Sequence, residues 1–160
     1  MKKCVFAGTF DPVTVGHEET VKKCLALFDE VIVAVAENKQ KRSLFSARAR
    51  EEMIGAVYAQ EPRVHVLRWA GVIADLLAAE GTPFYVRGLR NAGDYEYETA
   101  DFYASRDLDD KLIVLYLPAE QRHTHISSTL VKNCIAFEKP FDGYVPQAVY
   151  DYIRKEINHV

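Results

Sequence analysis

The chain has 160 residues, 49% of them apolar and 27% charged, with a formal net charge of −3. That balance describes one ordinary globular domain, able to bury roughly 70% of its unfolded surface; it argues against a nucleic-acid-binding face, usually basic, and no run of 18 apolar residues offers a membrane span. Cys4, Cys24 and Cys134, an odd count without a C-x-x-C pair, read as reduced thiols, and the short apolar run after Met-Lys-Lys predicts a cytoplasmic rather than an exported chain.

Short apolar runs alternate with helical patterns along the whole sequence. Strands are predicted over 3–7, 31–36, 64–67, 84–86 and 112–117, rich in Val, Ile and Phe and mostly continuous, as in sheets covered on both faces. The first helix, 17–28, carries Val21, Cys24, Leu25 and Phe28 on one stripe. The second is capped by Ser46 and runs to about 60, before Pro62; the third, 72–80, ends at Gly81. A fourth spans 95–106, a fifth starts near Ser128, and the last runs from Pro146, at the first helical position, to 157. This alternation predicts a single α/β domain: a Rossmann-like, doubly wound, five-stranded parallel sheet with right-handed crossovers. Its ligand crevice is then expected at the carboxyl ends of the strands.

Those ends hold every distinctive residue of the chain. After the first strand comes Gly8-Thr9-Phe10-Asp11-Pro12-Val13-Thr14-Val15-Gly16-His17. A loop running into a helix start is a phosphate cradle: amides and the helix dipole supply positive field, and an imidazole adds a donor. It is neither a Walker A loop nor a G-x-G-x-x-G fingerprint. After the second strand comes the basic run Lys39-Gln40-Lys41-Arg42. After the fourth comes Arg87-Gly88-Leu89-Arg90, where glycine admits close backbone approach and a guanidinium can grip phosphate. Asp94 and Glu96 suit the next helix's N-terminus, while Glu98 could receive a base or ribose hydroxyl. After the fifth comes His123-Thr124-His125-Ile126-Ser127-Ser128-Thr129, whose hydroxyl residues at a helix start make a second anion site. Two histidines without a Cys or carboxylate partner make a poor metal site, and no protein-held metal is expected.

The first segment is similar to the T-x-G-H signature of nucleotidyltransferases. Together with Arg-Gly-Leu-Arg-x-x-x-Asp-Tyr-Glu-Tyr-Glu and Ile-Ser-Ser-x-x-Val-Lys, it closely resembles the phosphopantetheine adenylyltransferase family over essentially the whole chain. The departures are Val15 where Asn is frequent, Thr129 where a third Ser is frequent, and His123-Thr124-His125 where an aromatic residue is common.

The resemblance implies transfer of the adenylyl group of ATP to 4′-phosphopantetheine, giving dephospho-coenzyme A and pyrophosphate in coenzyme A biosynthesis. By the same resemblance His17, Lys41, Arg90 and Ser128 are catalytic; Thr9, Phe10, His17, Gly88, Leu89, Arg90, Glu98 and residues His123, Thr124, His125, Ile126, Ser127, Ser128 and Thr129 contact ATP. Thr9, Lys41, Ile73 and Arg87 contact the acceptor. Lys41 is preferred to Lys39 because it precedes Phe45 by four residues, as in the family pattern, although Lys39 stays open. The resemblance further implies Mg2+ held mainly through the ATP phosphates, coenzyme A or dephospho-coenzyme A as product or inhibitor, and a homohexamer built as a dimer of trimers. Relatives with the same loop but a nicotinate mononucleotide or sugar-alcohol phosphate acceptor, and a catalytically silent nucleotide-binding regulator, are the competing readings.

Overall fold

The computed structural model describes residues 1–159 other than Lys39 and Lys41, with the side chain of Asp101 also outside the description. Twelve elements follow in chain order: β1 (Lys3–Gly8), α1 (Val15–Leu27), β2 (Glu30–Ala36), α2 (Ala47–Val57), β3 (Val64–Trp69), α3 (Ile73–Glu80), β4 (Phe84–Leu89), α4 (Ala92–Arg106), β5 (Ile113–Pro118), a 3₁₀ turn (Gln121–His123), α5 (Ser128–Ala136) and α6 (Gln147–Asn158). The sheet has the order β3-β2-β1-β4-β5 and all four pairings are parallel. This is the doubly wound α/β architecture expected from the alternation.

Both faces of the sheet are covered, which explains the unbroken apolar runs. On one face Cys4, Phe6, Val31, Val33 and Val35 meet Val21 and Cys24 of α1, Met53 and Ile54 of α2, Val131 of α5 and Val149 and Ile153 of α6. On the other, Val5, Ala7, Ile32 and Ala34 meet Leu76 and Leu77 of α3, with Phe102 of α4 packed against them. β1 is central, so its carboxyl end, where Gly8 opens the cradle, sits between the ends of β2 and β4.

Several boundaries differ from the sequence expectation, each for a local reason. α1 begins two residues early because Thr14, not the residue before His17, is its extended N-cap. α2 stops at Val57 rather than 60, since a turn closed by Glu61 N–H to the Tyr58 carbonyl precedes Pro62. α4 begins at Ala92, capped by the Asn91 side chain on the Asp94 amide. Pro146 is the N-cap of α6, one position outside the helix. β4 does not end at Val86: Arg87, Gly88 and Leu89 remain in the strand, paired with Tyr116, Leu117 and Pro118. β3 likewise runs on to Trp69. Gly81 closes α3 with φ 67°, the left-handed C-cap that a residue without Cβ adopts at no steric cost.

Candidate active site

A crevice of about 310 Å³ opens at the carboxyl ends of β1, β4 and β5, as the switch-point rule requires for this sheet. Thr9, Phe10 and His17 line it from the first loop, Arg87, Gly88, Leu89, Arg90 and Glu98 from β4 and α4, and His123, Ile126, Ser127, Ser128 and Thr129 from the segment entering α5. Thirteen predicted residues therefore meet in one cavity. Lys41 lies outside the described residues. Ile73 heads α3 and packs on the second core layer, while Thr124 and His125 do not line the crevice. Thr124 donates its hydroxyl to the Gln121 carbonyl, and the His125 ring sits edge-on to Tyr144 at 6.2 Å.

His17 occupies the third position of α1. Its Nδ1 accepts the Thr14 amide at 3.0 Å and lies 3.1 Å from the Thr14 hydroxyl. An acceptor at Nδ1 places the ring proton on Nε2, so the imidazole offers one N–H donor. Burial, reinforced by the charges of Arg90 and Arg87, lowers its pKa to about 4. His17 is therefore a neutral donor at pH 7. Phe10 holds the ring edge-on at 5.0 Å and is itself edge-on to Phe6 at 5.3 Å. Phe10 takes φ 49° while 2% exposed, a conformation uncommon for a bulky side chain and one that costs of order 1–3 kcal/mol. Gly8 gives that ring room, since a Cβ there would meet its Cζ at 3.1 Å.

Arg87 is tied on all sides. Its Nε and Nη2 donate to the two oxygens of Glu98, and Nη1 donates to the Ala7 carbonyl at 2.7 Å and the Tyr85 hydroxyl at 2.8 Å. Glu98, expected near the nucleoside, thus also braces Arg87. Arg90 is looser: its Nε lies 3.2 Å from Asp94, and its side chain is 40% exposed. Ser127 caps α5 by accepting the Leu130 amide at 3.1 Å, which leaves the first-turn amides of Ser128 and Thr129 facing the crevice without a helical partner. The Ser128 hydroxyl donates to the Pro12 carbonyl at 2.8 Å and so ties α5 to the cradle. His123 is fixed by Glu19, its Nδ1 2.5 Å from the carboxylate. Glu19 also accepts the Glu120 amide and pairs with Lys23 at 3.0 Å.

Chemically the cavity combines a neutral N–H donor, two guanidiniums, hydroxyls and a helix N-terminus. That set stabilises a crowded polyanion and contains no activated nucleophile. Residues outside the predicted site set support it as well. Thr20 donates to the Gly16 carbonyl and stands 3.1 Å from where a Cβ on Gly88 would lie. Asp11 and Arg50 are buried charges beneath the loops.

Comparison with known proteins agrees with this chemistry. Residues 5–134 match the model of the cytidylyltransferase-like family. A phosphopantetheine adenylyltransferase of Porphyromonas gingivalis is 41% identical over 149 residues, covering 92% of this chain and 97% of the relative. The enzyme of that name from Flavobacterium johnsoniae is 35% identical, covering 93% and 97%, and that from Geobacter metallireducens is 34% identical, covering 98% and 96%. With nearly full-length matches at these identities and the motif residues gathered in one crevice, the chain belongs to the phosphopantetheine adenylyltransferase family, within the cytidylyltransferase-like group.

Proposed function

We propose that the protein is a nucleotidyltransferase that moves the adenylyl group of ATP to 4′-phosphopantetheine, reversibly, yielding dephospho-coenzyme A and pyrophosphate. The observation that carries this reading is the convergence of neutral His17, Arg87, Arg90 and the α5 N-terminus at the switch point of the sheet. A phosphate oxygen of the acceptor attacks the α-phosphorus, the bond to the bridging oxygen of the β-phosphate breaks, and pyrophosphate leaves. The acceptor is already an anion, so no general base is needed; catalysis is positioning and charge neutralisation.

In this scheme His17 Nε2–H donates to the α-phosphate as negative charge builds on it. Arg90, the Ser128 hydroxyl and the free amides of α5 take the triphosphate. Thr9, Lys41 and Arg87 take the acceptor's phosphate, Arg87 using its remaining Nη2 proton or yielding one bond to Glu98. Gly88 and Leu89 border the adenosine. Among the described residues no three His, Cys, Asp or Glu cluster as metal ligands. Mg2+ carried by the triphosphate and water belongs to the same proposal, since that ion retains waters and needs few protein ligands. When bound, it screens the phosphates from one another.

Two wider proposals accompany this reading. Assembly as a homohexamer, a dimer of trimers, is supported by an uncovered face: no described side chain of α4 is buried, Tyr95, Tyr97, Tyr103 and Leu108 are 50–70% exposed, and edge strand β5 is only partly covered. Cytoplasmic residence is supported by three free cysteines. Among the described residues no helix is long and apolar enough to cross a membrane.

The deciding experiment mixes purified protein and MgATP with 4′-phosphopantetheine, unphosphorylated pantetheine, nicotinate mononucleotide or glycerol 3-phosphate and follows pyrophosphate release. Only the first should react well. Unphosphorylated pantetheine should fail, because a neutral hydroxyl is a poor nucleophile and leaves the cations without their anion. Faster reaction with nicotinate mononucleotide would overturn the acceptor, and silence with all four would favour the regulator.

A further inference from the structure

Two buried charges take no part in the scheme above. Asp11 is 2% exposed and Arg50 4%, and neither lines the crevice. Each Asp11 oxygen accepts a backbone amide from the segment after β2: Oδ2 from Leu44 at 2.8 Å and Oδ1 from Phe45 at 2.9 Å. Lys132 of α5 adds a weaker contact, its Nζ 3.4 Å from Oδ2. Arg50 grips the same segment from the opposite side. Its Nε donates to the Phe45 carbonyl at 3.1 Å, while Nη1 donates to the Thr9 carbonyl at 2.5 Å and the Ala36 carbonyl at 3.2 Å.

Phe45 is therefore held at both its amide and its carbonyl. The guanidinium that holds its carbonyl also holds the backbone of Thr9 in the phosphate cradle. The partners come from four places along the chain, the ends of β1 and β2, the start of α2, and α5. Buried ion-bearing groups are poor sources of stability compared with apolar packing of the same volume, so burial alone does not account for this arrangement. What it provides is a fixed distance between two loops, and one of those loops carries the basic run 39–42 a few residues before Leu44.

We infer that Asp11 and Arg50 are positioning residues that clamp the basic loop after β2 to the phosphate cradle, and so set where the acceptor's phosphate meets the nucleotide. The inference rests on the reading of that loop as the acceptor's cationic wall. Misplacement of a reactant by about 1 Å is enough to cost orders of magnitude in rate, so a clamp acting only on backbone has kinetic consequences.

The test is steady-state kinetics toward each substrate for wild type, Asp11→Asn, Arg50→Lys, Lys41→Ala and the Asp11→Asn/Lys41→Ala double variant, with folding checked by circular dichroism. Asp11→Asn keeps the shape but turns an NH2 toward one amide donor. It is expected to raise the acceptor KM about tenfold while the ATP KM stays within about twofold, a split that general destabilisation does not produce. Arg50→Lys should shift the same constant in the same direction, and carries the test if Asp11→Asn does not fold. In the Lys41→Ala background the Asp11→Asn effect should shrink to below about threefold, because groups acting through one another are not additive. Equal changes in both KM values, or full additivity with Lys41→Ala, overturn the inference. A raised acceptor KM in Lys41→Ala beside unaffected Asp11→Asn and Arg50→Lys overturns it alone; an unchanged acceptor KM in Lys41→Ala overturns the reading of the loop and the clamp with it.

Discussion

His17 is a side chain whose proton is placed by its own helix. The Thr14 amide claims Nδ1, and burial, helped by the charges of Arg90 and Arg87, keeps the ring neutral down to about pH 4. A preorganised donor of this kind typically accounts for roughly 10²–10³ in kcat, so His17→Ala should lose about that factor with ATP affinity much less changed. Titrating wild type by NMR should place the ring's midpoint near 4 rather than near 6.5. The sign of the linked stability follows. Between those values the unfolded chain binds a proton that the folded chain refuses, so unfolding free energy falls as pH drops from about 6.5 to about 4 and levels below. Urea titrations of wild type and His17→Gln at pH 7 and pH 5 would show the variant losing part of that slope. Arg87 differs because it braces the fold as well as holding its proposed ligand. Removing it strands Glu98, whose side chain is 11% exposed, and should cost about 2–3 kcal/mol, discounted for partial exposure from the usual loss on breaking a buried pair. Arg87→Ala/Glu98→Gln should regain much of that stability by chemical denaturation without regaining acceptor affinity.

The strands meet the crevice through their ends, while Thr20 and Glu98 reach it from within α1 and α4, so the packing between elements sets its width. β4 passes α1 so closely that a methyl on Gly88 would stand 3.1 Å from the Thr20 hydroxyl, which is itself bonded to the Gly16 carbonyl near His17. Gly88→Ala should therefore push β4 from the α1 N-terminus, cost about 1–2 kcal/mol and lower kcat/KM for both substrates. Adding Thr20→Ala removes the obstructing hydroxyl and should restore part of both; an unrelieved defect would place the fault elsewhere. Ser127→Ala should cost about 1 kcal/mol as a lost cap, measured by Tm, and loosen the turn that presents the Ser128 and Thr129 amides.

At the scale of the whole molecule, the parallel, doubly wound sheet and the gathering of motifs are legible because continuous Val and Ile runs mark strands buried on both faces, whereas the order β3-β2-β1-β4-β5 comes from the structure alone. The carboxyl-end rule then says where the loops converge. Arg87-Gly88-Leu89 was misplaced outside its strand because neither arginine nor glycine reads as a strand residue; only pairing to Tyr116–Pro118 holds it there. The clamp was invisible for a different reason. Asp11 and Arg50 bind backbone atoms, up to 41 positions away in the case of Arg50 and Thr9, and a backbone partner leaves no trace in residue identity. The uncovered α4 and β5 face gives a prediction of its own. Sedimentation at micromolar concentration should show an assembly, and Leu108→Glu with Tyr103→Glu should disperse it while leaving the fold intact by circular dichroism. A monomeric wild type would remove the hexamer.

The central place of β1 also bears on how the protein is made. β1 leaves the ribosome before either neighbour, and its two sides are completed at very different times. Its partner on one side, β2, starts at Glu30, whereas Val5 waits for Tyr85 on the other. At the usual 5–20 residues per second those 80 positions take roughly 4–16 s to synthesise. Within that interval β2 pairs first, and once Trp69 is made a three-stranded β3-β2-β1 sheet can exist, with the β1 edge at Val5 and Phe6 still unpaired, the kind of edge that templates pairing with another chain. The same strand that later anchors the catalytic cradle is thus, for some seconds of every synthesis, the nascent chain's exposed edge.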